Sequence, residues 1–120
     1  MHLTIITVDE HGESHYEDAD IALPEQDFAP PAPPLAVSDP IDAARAVFFR
    51  IPAGWFGDWH PVPRRQYYVQ TTGELEVEVS DGEVRRFHPG DVVLVEDVSG
   101  RGHTTRVVGD TDVCGVYVQL

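Results

Sequence analysis

The sequence predicts an all-β fold, an antiparallel sandwich or barrel, and three observations carry that prediction. The stretch "ELEVEVS", Glu74 to Ser80, alternates acidic and apolar residues with period two, which turns Leu75, Val77 and Val79 inward and Glu74, Glu76 and Glu78 toward water. Short apolar runs recur along the C-terminal two thirds, each ended by glycine, proline or aspartate. No segment carries a sustained amphipathic helical period.

Taken in order, "LTIITV" near the N-terminus has the β-branched content of one short strand. The stretch "PEQDFAPPAPPLAVSDP" holds too many prolines for a regular element and reads as an extended arm or linker. "SDPIDAARAV" is compatible with one capped helical turn, with Ser38 or Asp39 as the N-cap. From there "AVFFRI" and "YYVQT" read as strands, and "SDGE" supplies an Asp-Gly pair for a tight hairpin turn. After that turn come "EVRRF", the turn "HPGD", the strand "VVLVE", the loop "DVSGRG", and the strands "HTTRVV" and "VCGVYVQL". The division expected from this pattern is an N-terminal strand and proline-rich arm over residues 1–44, and a barrel over 45–120 with the arm draped outside it.

Composition excludes several functions. The formal net charge of -13 opposes a nucleic-acid partner, because phosphate binding needs a basic face. All eight basic residues are arginine, so lysine Schiff-base chemistry and covalent pyridoxal phosphate attachment are ruled out. The single cysteine, Cys114, has no internal partner and reads as a small buried hydrophobe. Nothing approaches a membrane span or a signal peptide, so the expectation is a soluble cytoplasmic protein with no membrane partner.

The stretch "GWFGDWHPVPRRQYYVQTTG" concentrates the chemistry. It spaces Gly54, His60, Gln66 and Gly73 in a fixed order, and downstream "HPGDVVLV" is followed by "GRGH", which ends on His103. Together these resemble the two motifs of the cupin superfamily over about Phe48 to Val108. The resemblance implies a double-stranded β-helix, a jelly-roll-like antiparallel barrel, with His60 and His103 in metal-histidine positions.

The departures are specific. Val62 stands where the cupin pattern has a second histidine, and Gln66 where it has a glutamate. Glu96 replaces a usual proline, the loop before His103 is longer, and Val107 replaces an asparagine. One carboxylate attracts a divalent cation by something on the order of ten kcal/mol at an effective dielectric of 20, before desolvation. The amide of Gln66 forgoes that. His60, Gln66 and His103 remain as candidate ligands for weakly bound Zn, Fe or Ni, and the alternative is no cofactor at all.

Strand parity extends the candidate pocket: if Gln66 faces inward, so do Tyr68 and Gln70, and if His103 does, so does Thr105. Such a wall suits a small, neutral or weakly polar organic molecule. His60 and His103 are the candidate general acid and base, with Tyr68 beside them. Gln66, Arg64, Gln70 and Thr105 are the candidate ligand-binding residues. Arg64 and Arg65 are a candidate carboxylate clamp, Arg64 preferred because it shares parity with His60 and Gln66, and the alternative for both is pairing with surface acids. His2, His11, His15 and His88 read as surface histidines.

The resemblance implies three alternatives: an isomerase, cyclase or lyase using histidine acid-base chemistry, a metal-dependent dioxygenase, or a non-enzymatic metabolite-binding module. A homodimer is expected in each case, since small barrels of this kind leave one sheet with an apolar outer face.

Overall fold

A computed structural model describes residues 1–120. It is all-β, with no helix. Strands β1 (His2–Val8), β2 (Ser14–Asp20), β5 (Arg45–Ile51), β7 (Gln66–Thr72), β10 (Val92–Val95) and β12 (Val113–Gln119) form a six-stranded sheet in the order β2-β1-β10-β7-β12-β5. Strands β6 (Phe56–His60), β8 (Glu74–Val79), β9 (Val84–Phe87) and β11 (His103–Val108) form a four-stranded sheet in the order β6-β11-β8-β9.

The two sheets share one apolar interior. Ile6, Tyr68, Val93 and Val95 enter it from the six-stranded sheet, and Leu75, Val77, Val79, Phe87 and Val107 from the four-stranded one. The period-two alternation predicted for "ELEVEV" is realised in β8, where Leu75, Val77 and Val79 are buried. Each such valine or leucine contributes about 1.5–3 kcal/mol through the apolar surface it removes from water. The outward Glu74 and Glu76 are half-buried and pair with His88, Arg86 and Arg106.

Three expectations are corrected. The sheets do not close into a barrel: β2 and β5 border one sheet, and β6 and β9 the other. Pairing is not wholly antiparallel, because β1 runs parallel to β10 with Thr4 opposite Val93 and Ile6 opposite Val95. The first 20 residues are therefore not an outer arm. Leu3, Ile6 and Tyr16 are buried, and Glu96 N–H donates to the Ile6 carbonyl, which extends the pairing beyond the ladder.

The proline-rich stretch does stay at the surface, although it forms a minimal ladder between β3 (Glu25–Gln26) and β4 (Leu35–Ala36). No helical turn forms over "SDPIDAARAV". Cys114 is half-buried rather than enclosed. The Asp-Gly turn does join β8 to β9: Gly82 takes a φ of 96°, which a side chain would disfavour, and Glu83 N–H is capped by Asp81 Oδ1 at 2.8 Å.

Candidate functional site

Between the sheets lies a cavity of about 240 Å³. Its two walls differ in chemistry. On the four-stranded side, β6 carries His60 and β11 carries His103 and Thr105; on the six-stranded side, β7 carries Gln66 and Tyr68 while β12 carries Tyr117 and Gln119. No arginine, aspartate or glutamate lines it, so the charge of the chain lies outside the cavity.

His60 and His103 are directly opposed in the β6–β11 ladder, and their ring centroids stand 4.9 Å apart. The close approach depends on Gly102, which has a φ of +72° and lies so near β6 that a Cβ there would meet the His60 carbonyl oxygen at 1.9 Å. Any other residue would push the two strands apart.

Both imidazoles are held through Nδ1. His60 Nδ1 is 2.6 Å from the Asp58 carbonyl oxygen, which can only accept, so this nitrogen carries the proton. His103 Nδ1 is 2.6 Å from Oδ2 of Asp97, a side chain with 0% exposure. Neither Nε2 has a protein hydrogen-bond partner. The other oxygen of Asp97, Oδ1, is buried without one. Burying a carboxylate this way is costly unless it is paired, and His103 is its only side-chain partner. Asp97 is the residue that sequence reasoning missed: it sits in the loop after β10, where no strand alternation marks it.

On the other wall, Gln66 and Gln119 are opposed in the β7–β12 ladder, and Gln119 Nε2 donates to Gln66 Oε1 at 3.0 Å. Gln66 is 5% exposed. Tyr68 and Tyr117 are opposed in the same ladder, and Phe49 stacks on Tyr117 with centroids 4.4 Å apart. Burial pushes both tyrosine hydroxyls above their ordinary range, that of Tyr68 strongly, so they remain protonated.

Five expected site residues, His60, Gln66, Tyr68, His103 and Thr105, thus line one cavity. Two others do not. Gln70 faces inward as parity requires and is 1% exposed, but it is consumed by the fold: its amide donates to the Gly73 and Phe87 carbonyls at 2.7 and 3.1 Å, and its oxygen accepts from Tyr68 at 2.7 Å. Arg64 is exposed and does not line the cavity, because it lies in the turn before β7, where strand parity has no force. Arg65 pairs with Glu96, as expected of a surface arginine. Tyr68 is limited in role as well, since its one hydroxyl proton is already donated to Gln70. It offers a ligand a lone pair rather than a proton.

The donor set for a metal is thin. No three histidine, cysteine, aspartate or glutamate side chains converge anywhere in the chain, and the Gln66 oxygen proposed as a third ligand is taken by Gln119. The residues present supply two imidazole nitrogens and no facing carboxylate, which is a poor fit for tightly held Zn, Fe or Ni.

Compared with protein-family models and with curated proteins, the chain matches none. No helix is long and apolar enough to cross a membrane.

Proposed function

We propose that this chain is a small cupin-type enzyme that binds a neutral organic molecule in the cavity and moves a proton with histidine. The observation that carries this is the common tethering of His60 and His103, each bound at Nδ1 and free at Nε2 beside an uncharged cavity. Asp97 orients the His103 ring and stabilises the imidazolium that forms when Nε2 takes a proton. His103 then returns that proton from Nε2 to another atom of the same ligand, while His60, its ring 4.9 Å away and its Nε2 unprotonated, accepts a hydrogen bond from a ligand N–H or O–H. Isomerisation, cyclisation and elimination all begin with such a transfer and need no redox step. The two-sheet architecture and the spacing of Gly54, His60, Gln66, Gly73, Gly90 and His103 support the cupin assignment.

A metal-dependent dioxygenase is the competing reading, and one observation favours it: a carboxylate bonded to the far nitrogen of a histidine is how proteins commonly orient a metal ligand. A binding module without turnover is the third. The expected homodimer belongs to the proposal too, supported by an apolar groove on the outer face of the six-stranded sheet between Ile21, Ile41, Tyr67, Val69, Val92 and Val118. A monomer by light scattering at micromolar concentration would remove that part.

The deciding experiment is hydrogen–deuterium exchange at carbon next to a carbonyl, followed by NMR in D2O over a panel of neutral cyclic ketones and amides. The proposal expects exchange catalysed by the parent protein and lost in His103→Ala. Saturable binding without exchange would favour the binding module, and exchange or oxygen uptake abolished by a chelator would favour the metal reading.

A further inference from the structure

The glutamine wall carries information about the ligand that the histidine wall does not. Gln66 and Gln119 use one hydrogen bond between them, and that leaves both N–H groups of Gln66, the second N–H of Gln119 and the carbonyl oxygen of Gln119 without protein partners. Both residues line the cavity, on adjacent strands in direct register. Turning both amides over exchanges the two roles but leaves the same kind of offer, N–H donors on one residue beside a free carbonyl oxygen on the other. Gln66 is 5% exposed and Gln119 half-buried, so a ligand seated on this wall would take their free groups from water, and an amide group left without a partner in that complex is destabilising. A ligand that answers both groups is therefore selected over one that answers a single group.

We infer that the cavity selects a cyclic secondary amide, a lactam, imide or related ring, whose C=O accepts from Gln66 and whose N–H donates to Gln119. This rests on the small-molecule reading above and names its substrate class. Three further features agree with it. No arginine lines the cavity, so a carboxylate or phosphate has no permanent counter-charge there. Its volume of about 240 Å³ suits one or two rings. The stacked Phe49, Tyr117 and Tyr68 give a flat conjugated ring aromatic surface at the amide wall, with Tyr117 and Tyr68 lining the cavity itself.

The test uses three probes of nearly equal shape with the full chain, in protein-observed NMR titrations. They are 2-quinolinone, a bicyclic lactam; coumarin, its lactone counterpart, with a ring oxygen where the lactam has N–H; and N-methyl-2-quinolinone. Coumarin keeps the carbonyl but sets an oxygen against the Gln119 oxygen, and the methylated lactam lacks the donor. The lactam is expected to bind roughly tenfold or more tighter than either, as sites built to pair a polar group reject analogues lacking it. In Gln119→Leu the three should approach parity.

Equal affinity of the three probes for the parent would overturn the amide selection and leave the cavity reading standing. A preference for the lactam that survives unchanged in Gln119→Leu would also overturn it. Failure of all three to bind would overturn the cavity reading and this inference with it. Because the comparison within the parent needs no substitution, a poorly folded variant does not decide the matter.

Discussion

His103 and Asp97 are joined by a hydrogen bond of 2.6 Å in which the carboxylate is wholly buried and the imidazole is one tenth exposed. The bond ties the loop after β10 to the first residue of β11, so the group that orients the imidazole also anchors the strand that carries it.

That double role predicts a stability effect. His103→Ala leaves the Asp97 carboxylate buried without a side-chain partner, which should cost about 3 kcal/mol. Asp97→Ala should cost a similar amount, yet the double substitution should cost clearly less than the sum, because the second change removes the group that the first had orphaned. Urea denaturation of the four proteins checks this, and strict additivity would mean that the pair is not coupled.

Gly102 should be intolerant of a side chain for two reasons that a second glycine separates. Gly102→Ala meets both a positive φ and the His60 backbone, so a loss above about 2 kcal/mol is expected, with weakened ligand binding. Gly109 has a φ of +80° but open space around it, so Gly109→Ala should cost only about 1 kcal/mol. Thermal melts of the two variants give the comparison.

A pH dependence follows from His15, whose Nε2 and Nδ1 lie 2.7 and 2.8 Å from Asp9 and Asp81. Hydrogen bonds to these two carboxylates raise its pKa above 6.5; the bond from His15, with backbone N–H donors, lowers that of Asp9 to about 2, and the Glu83 backbone N–H, followed by His15, lowers that of Asp81. A raised histidine pKa means that its contribution is complete below 6.5 and is lost as pH climbs through the folded value. Lowered aspartate values mean the opposite at the acid end: their contributions are present above 3.8 and fade as pH falls through the folded values. The clamp between the β1–β2 turn and the β8–β9 turn is therefore strongest from about pH 4 to 6.5. His15→Gln should flatten the stability profile over its alkaline flank, and an unchanged profile would mean that the clamp contributes nothing. Its size will be modest, since the side chain of His15 is 37% exposed.

Gln66→Glu should raise affinity for Zn or Ni, because it returns a negative charge to a cavity with two free imidazole nitrogens. The gain should be several kcal/mol at most, since Val62 still supplies no third nitrogen. His103→Ala should abolish it, whereas His88→Ala should not, as His88 lies at the surface with Glu74. Calorimetry on these variants checks the order, and equal affinity in the parent and Gln66→Glu would show that Gln66 does not face the imidazoles.

Much of this site was legible because strands repeat every two residues. Alternation identified the buried face of β8, and parity carried Gln66 and His103 to Tyr68 and Thr105. Parity told where Gln70 points but not what it meets: the carbonyls of Gly73 and Phe87, the latter far along the chain, use up its amide. It misled at Arg64, which lies outside any strand. Asp97 had no period to reveal it, and the place of β1 depended on a parallel pairing with β10 across some ninety residues, which local pattern does not encode.

The most direct test of the account is the protonation pattern of the two cavity histidines in their neutral form, read by long-range ¹⁵N–¹H NMR with and without 2-quinolinone. The account predicts that His60 and His103 both carry their proton on Nδ1 and that the free Nε2 resonances shift when the ligand binds. A proton on Nε2 of His103, or Nε2 resonances that ignore a bound ligand, would contradict it.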